Sequence, residues 1–363
     1  MMTTSPTESP EIPRTDAMPA WRRLAAVALC LSTGLGDAPA RADTLTEGLA
    51  APIEARESAS LRYDTTVGDL LRHSELQGFA RRLLPWAERD YREEMPLRDI
   101  AQLLPYHSAV RPDVVLAGLN RLLDLQRAGV PVFHEIYTGA ERRETPSLSE
   151  AGLFFFPGRP GAPFALIAPG GGFSYVGSVH EGFPYAMELS RLGFNAFVVT
   201  YRTGQGGRTA TADMARAVDY VMEHAETLGV AREGYSVWGS SAGARMVAFI
   251  GSHGPDAFGA QSPQHPAAVI MAYTSHADLG PQEPPTYAIV GAQDGIAPAA
   301  NMRARVEALR TLGGAVTFRV VPGVGHGFGD GTGTAAQGWV AEAAAFWAAH
   351  LPAELGSNER TLK

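Results

Sequence analysis

The residues with the clearest chemical potential are Gly239-Ser240-Ser241-Ala242-Gly243, a G-x-S-x-G pattern. A strand-like stretch, Tyr235–Trp238, runs into it and a helix-like stretch, Ala244–Ile250, runs out of it. Strand, sharp turn and helix in that order form a nucleophile elbow, which lifts one serine hydroxyl clear of the backbone. Glycine suits the positions two residues either side, where a side chain would collide with the adjoining strand and helix. Only Ser241, and not Ser240, has a glycine at both of those positions. In a chain with 40 glycines the pentapeptide alone is weak, and its context is what gives it weight.

A serine hydroxyl is a poor nucleophile until a base takes its proton. In this arrangement the acid and then the histidine follow the serine along the chain. His326 lies in Pro322-Gly-Val-Gly-His-Gly-Phe-Gly329, directly after the last predicted strand, where glycines let the loop bring the imidazole back. His276, which also follows a strand, is the alternative, whereas His253, His265 and His350 read as surface positions. For the acid, Asp294 in Gly291-Ala-Gln-Asp-Gly295 follows a strand at the end where parallel sheets present functional groups. Asp278 and Asp330 are its alternatives. The run Ala168-Pro-Gly-Gly-Gly-Phe173 follows another strand, and its bare N–H groups suit an oxyanion hole. Gly171 and Gly172, joined by the N–H of Ala242, are the expected donors. A phosphate-binding reading of the same run lacks the Gly-Lys-Ser/Thr that should follow it. With no His-Glu-x-x-His and no histidines at ligand spacing, neither metal nor cofactor is expected.

Such groups need a scaffold, and the pattern from Pro131 onward supplies one. Short apolar runs at Val132–Tyr137, Gly152–Phe156, Phe164–Ala168, Asn195–Thr200, Tyr235–Trp238, Ala267–Ala272, Thr286–Val290 and Val316–Val321 read as strands. Helical patterns fall between the later ones, at Pro184–Leu192, Thr209–Leu228, Ala242–Ile250, Pro298–Leu312 and Gln337–Ala349. The fold class is therefore α/β: a mostly parallel eight-stranded sheet with helices on both faces. Residues 60–128 read as helical, with Pro112 and Gly129 bracketing a helix over Asp113–Ala128. This segment either packs over the mouth of the site or buttresses the rest.

The 363 residues suffice for one large domain with extra segments, and 45% hydrophobic residues supply a sizeable core. A net charge of −8 without a basic block argues against a nucleic-acid partner. Trp21-Arg22-Arg23, the apolar run Leu24–Leu31 and Ala40-Arg41-Ala42 read as an export signal, whose basic region would open the chain if translation starts at Met18. That run is too short to span a bilayer, so no stable membrane insertion is expected. The single cysteine, Cys30, lies inside it, leaving the exported chain without thiol or disulfide. The expected organisation is a signal peptide over 1–42, a linker and helical pre-domain over 43–130, a catalytic domain over 131–352 and a tail over 353–363. The expected location is periplasmic or secreted.

Pro169-Gly-Gly-Gly-Phe173, His180-Glu-Gly-Phe-Pro184, Tyr201-Arg202, Gly239–Gly243, Asp294 and His326 together resemble the serine α/β-hydrolases of the carboxylesterase and acetyl-esterase type. Bacterial xylan- and feruloyl-esterase-related hydrolases share the Gly-Gly-Gly loop and a Glu-Gly-x-Pro segment. The resemblance covers roughly residues 150–350. It implies Ser241 as nucleophile, Asp294 as acid, His326 as base, and Gly171, Gly172 and Ala242 as oxyanion donors. The chain departs from the pattern at Pro169, where the hormone-sensitive-lipase group has histidine, and in segment 60–128, which has no counterpart. The expected activity is hydrolysis of small or carbohydrate-linked carboxylic esters through an acyl-enzyme. The substrate is then a small molecule or an oligosaccharide ester. Phe173, Tyr175, Phe183 and Phe328 are candidate pocket residues, and Arg202 either contacts substrate or anchors loops. A serine peptidase on the same scaffold and a non-catalytic binding protein are the alternative readings.

Overall fold

Five-residue apolar runs such as Phe164–Ala168 cannot be solvated on either face, so they end up in the middle of a covered sheet. The computed structural model describes residues 60–87 and 89–352, and the signal-peptide and tail assignments lie outside them. The strands are β1 (Phe133–His134), β2 (Gly152–Phe156), β3 (Phe164–Ala168), β4 (Asn195–Thr200), β5 (Ser236–Ser240), β6 (Ala268–Ala272), β7 (Thr286–Gly291) and β8 (Val316–Val321). They form one eight-stranded sheet in the order β1-β2-β4-β3-β5-β6-β7-β8. Only β2 runs against its neighbours; from β4 through β8 every pairing is parallel.

The strands fall within two residues of where the apolar runs predict them, except at the first. The expected strand Val132–Tyr137 contracts to Phe133–His134, because β1 is at the edge and pairs with β2 alone. The expected helix Thr209–Leu228 is broken at His224 into Gly206–Glu223 and Ala225–Leu228. β5 occupies the centre, flanked by β3 and β6, so the turn after it opens beside the carboxyl ends of both neighbours. Helix Ala242–His253 continues from that turn and buries Ala244, Met246, Val247 and Ile250 against the sheet.

Segment 60–128 shares the buried cluster of the sheet rather than forming a core of its own. Its helix Pro112–Arg127 begins with Pro at the first turn and buries Val115, Leu119, Leu122 and Leu123 completely. Each such side chain contributes about 1.5–3 kcal/mol. The helix approaches helix Phe183–Arg191 so closely that a Cβ at Gly118 would come within 2.9 Å of Phe183 Cβ. Its preceding turn, Tyr106–Ser108, reaches the loops at the sheet's carboxyl edge.

Candidate active site

The turn after β5 places Ser241 at φ 51° and ψ −114°, a conformation L-residues rarely adopt. The Ser241 N–H donates to the Ala272 carbonyl at 2.9 Å, which pins the turn to the end of β6. The glycines are sterically enforced: a Cβ on Gly239 would lie 2.4 Å from the Gly243 carbonyl oxygen, and one on Gly243 would lie 1.9 Å from that of Ala168. Ser240 points the other way. It is fully buried, with Oγ 2.9 Å from the Tyr185 hydroxyl.

His326 Nε2 lies 2.9 Å from Ser241 Oγ, and His326 Nδ1 lies 2.8 Å from Asp294 Oδ2. The second carboxylate oxygen, Oδ1, accepts from the N–H groups of Ile296 at 2.9 Å and Ala297 at 2.7 Å, which fixes the carboxylate plane. An imidazole held this way keeps its Nδ1 proton toward the acid and presents a basic Nε2 to the hydroxyl. The alternatives stand elsewhere. Asp278 is engaged by His253 Nε2 at 2.6 Å, and Asp330 accepts from Thr332. His276 lines the same cavity as Ser241, yet its Nε2 is buried without a hydrogen-bond partner. Burial, followed by the Arg305 guanidinium, pushes its pKa down to about 4.

The glycine loop after β3 faces this group. Gly171 and Gly172 have φ values of 136° and 63°, and a Cβ on Gly171 would lie 2.1 Å from the Tyr175 carbonyl oxygen. The loop turns its carbonyls inward, Gly170 O accepting from Gly177 and Gly171 O from Ser174 and Tyr175. The N–H groups of Gly171 and Gly172 make no hydrogen bond among the described residues. Ala242 opens its helix, so its N–H has no intrahelical partner either. Tyr201 donates its hydroxyl to the Pro169 carbonyl at 2.7 Å and steadies the start of the loop.

Beneath the loop lies a buried carboxylate, Glu181, to which the sequence reading attached no role. Its Oε2 accepts the Gly170 N–H at 2.5 Å, its Oε1 accepts the Tyr273 hydroxyl at 2.8 Å, and His107 Nε2 stands 3.0 Å from Oε1. Burial alone would raise its pKa, but His107, together with His180 and the Tyr273 hydroxyl, holds it down at about 2. His107 Nδ1 in turn lies 2.9 Å from the Tyr175 hydroxyl. The next residue, Ser108, donates its hydroxyl to the His326 carbonyl at 2.6 Å and its N–H to that of Gly327 at 2.9 Å. His180 Nε2 donates to the same Gly327 carbonyl at 3.0 Å. One turn of segment 60–128 therefore braces both the glycine loop and the histidine loop. The place of Glu181 in the Glu-Gly-x-Pro segment was a signal open to the sequence; His107, 74 positions away, carried none.

Ser241 and His326 open into a cavity of about 470 Å³ walled by Phe173, Arg245, Phe249 and the stretch Tyr273–Asp278. Of the expected pocket residues Phe173 lines it. Tyr175, Phe183 and Phe328 do not, and those three expectations are corrected. Tyr175 is buried under the glycine loop against Trp86 and Tyr106. Phe183 packs on Phe154 and Phe156, and Phe328 packs on Tyr273 and Trp339. Arg202 is likewise an anchor, forked onto buried Asp213 at 2.7 Å. Among the described residues no three His, Cys, Asp or Glu side chains converge as a metal site.

The strand order, the reversed second strand and the elbow after β5 decide the fold. The chain has the α/β-hydrolase fold. No family model matches it. It is similar to an acetylxylan esterase of Xylanibacter ruminicola, 24% identical over 225 residues, which are 53% of this chain and 47% of that protein. The chain thus spans about half the length of that relative. Among solved structures it is similar to the acetyl ester-xyloside bifunctional hydrolase of Caldicellulosiruptor lactoaceticus, at 18% identity and a TM-score of 0.48, over 55% of this chain and 89% of that one. Thermogutta terrifontis esterase 2 in its apo form gives 21% identity and a TM-score of 0.45, over 53% and 87%.

Proposed function

We propose that this α/β-hydrolase is a serine esterase acting on small or carbohydrate-linked carboxylic esters through an acyl-enzyme. The observation that carries the reading is the continuous chain from Ser241 Oγ through His326 to Asp294, at 2.9 and 2.8 Å, beside unengaged backbone N–H groups. Ser241 attacks the ester carbonyl while His326 Nε2 takes the hydroxyl proton, and Asp294 stabilises the imidazolium that results. The N–H groups of Gly171, Gly172 and Ala242 receive the negative charge of the tetrahedral intermediate; one such donor is typically worth about a hundred- to a thousandfold in rate. His326 then protonates the departing alcohol. In the second half-reaction it takes a proton from water as the water oxygen attacks the acyl carbon; the bond to Ser241 Oγ then breaks, His326 returns the proton to Oγ, and the acid is released.

The similarity to an acetylxylan esterase and a cavity of about 470 Å³ beside Ser241 support the carbohydrate-linked part of the reading. The basic-apolar-small pattern of residues 21–42 supports export, with Asp43 as the first residue of the mature chain. N-terminal sequencing of exported protein checks this, and an intact Met1 would refute it. For the chemistry, a fluorophosphonate probe should label the native chain and not Ser241→Ala, with 4-nitrophenyl acetate cleaved in parallel. Equal labelling of both, or cleavage of peptide anilides alone, would overturn the esterase reading.

A further inference from the structure

The cavity at Ser241 does not end at its own walls. Phe173, Arg245 and Phe249 also line a second cavity, which runs on to Arg208 and Phe258, so the two form one groove leading away from the nucleophile. Arg245 sits four residues after Ser241 on helix Ala242–His253, one turn further along the same helix face.

The charges along this groove are unbalanced. Arginines that are buried or half-buried are matched, Arg202 by Asp213, Arg305 by Glu283 and Arg82 by Glu135, whereas Arg245 and Arg208 stand exposed along the groove. Among the described residues neither Arg245 nor Arg208 meets a carboxylate; each guanidinium lies 6.0 Å from a ring centroid instead, Arg245 over Phe173 and Arg208 over Phe258. Asp278, the acidic residue in the cavity wall, is engaged by His253 Nε2 at 2.6 Å. A groove with aromatic walls and two guanidinium groups whose forked donors are unspent is complementary to an anion carried on an apolar linker. Guanidinium matches carboxylate in geometry as well as in charge.

We infer that the groove selects esters bearing a carboxylate remote from the scissile bond, with the linker against Phe173 and Phe249 and the carboxylate on Arg245 or, for longer substrates, Arg208. The inference rests on the esterase reading above. The carboxylate can belong to the acyl part or to the alcohol part, since the groove opens from the reacting atoms themselves.

Paired substrates distinguish these sources. In the acyl arm, mono-4-nitrophenyl glutarate is compared with 4-nitrophenyl pentanoate; in the alcohol arm, 4-(acetoxymethyl)benzoate is compared with benzyl acetate. The expected result is a kcat/KM ratio favouring the anionic member in at least one arm by about tenfold, falling as salt is raised. Arg245→Gln should reduce that ratio by about tenfold, as expected for a charge-assisted contact open to water. Arg208→Gln should reduce it most for the longer substrate. A ratio near one in both arms, or a ratio indifferent to both substitutions, would overturn the inference while leaving the esterase reading intact. Failure to cleave any of the four esters would overturn both.

Discussion

His107 Nε2 lies 3.0 Å from Glu181 Oε1, a contact between a turn that precedes the sheet and a carboxylate beneath the glycine loop. Both side chains are almost wholly removed from water, at 2% and 0% exposure, so neither can exchange this partner for solvent. Because Glu181 also holds the Gly170 N–H, the position of the glycine loop depends on a residue far outside the elbow and its partners.

Replacing His107 by Ala removes the imidazole 3.0 Å from the buried Glu181 carboxylate and leaves Oε1 one partner short. The expected loss is about 3–5 kcal/mol of stability, the usual cost of breaking a buried pair from one side. His107→Gln, which retains a donor, should recover part of it. Chemical denaturation gives the stability. Among variants that remain folded, kcat should fall more than KM rises, because the glycine loop acts on the intermediate.

The acid side of the stability profile should carry two components. Burial, followed by the nearby His107, lowers the His180 pKa from 6.5 to about 4, so between those values the unfolded chain binds a proton that the folded chain refuses. Stability therefore falls as pH drops from about 6.5 to about 4. Glu181, lowered from 4.5 to about 2, contributes stability above about pH 4.5 that is lost as pH falls toward 2. Denaturation midpoints measured across pH 2–8 for the native chain and Glu181→Gln check this: the variant should lose the lower component and keep the upper one.

Ser108→Ala removes the hydroxyl that donates to the His326 carbonyl at 2.6 Å and retains the backbone bond to Gly327. The expected cost is about 1 kcal/mol, read as a several-fold fall in kcat with KM nearly unchanged. Steady-state kinetics on 4-nitrophenyl acetate supplies both constants.

Single replacements of Ser241, His326 or Asp294 by Ala should each lower kcat by about four to six orders of magnitude, and the triple replacement by little more than the worst single one. Groups that act as a unit are not additive. A triple variant much slower than any single one would show that they work independently.

Gly243→Ala should be far more harmful than its size suggests, because the added Cβ would sit 1.9 Å from the Ala168 carbonyl oxygen. Backbone cannot yield as a flexible side chain does. Soluble yield and thermal unfolding should show a loss of several kcal/mol, whereas Gly295→Ala, whose Cβ meets open space, should be near neutral.

Much of the scaffold was legible because it is written in local patterns. The apolar runs of β2, β3, β4 and β8 are short, rich in branched and aromatic residues and closed by turn residues, so their ends matched residue for residue. The elbow was legible for the same reason, since Gly239 and Gly243 answer a steric demand made within five residues. Phe328 and Tyr175 were misread as pocket residues because aromatic side chains flanking a catalytic loop can turn toward the cavity or away from it. Sequence proximity does not distinguish the two.

By itself, then, the sequence determined the strand and helix segments, the strained serine and the candidates that follow it along the chain, all consequences of nearest-neighbour sterics and periodic hydrophobicity. Tertiary structure alone decided that His326 and not His276 faces Ser241, that Glu181 lies under Gly170, and that His107 and Ser108 brace two loops from outside the sheet. It likewise decided that Arg245 and Arg208 share one groove. Those relations join residues up to 218 positions apart, as Ser108 and His326 are, and they exist only where separately formed surfaces are packed together.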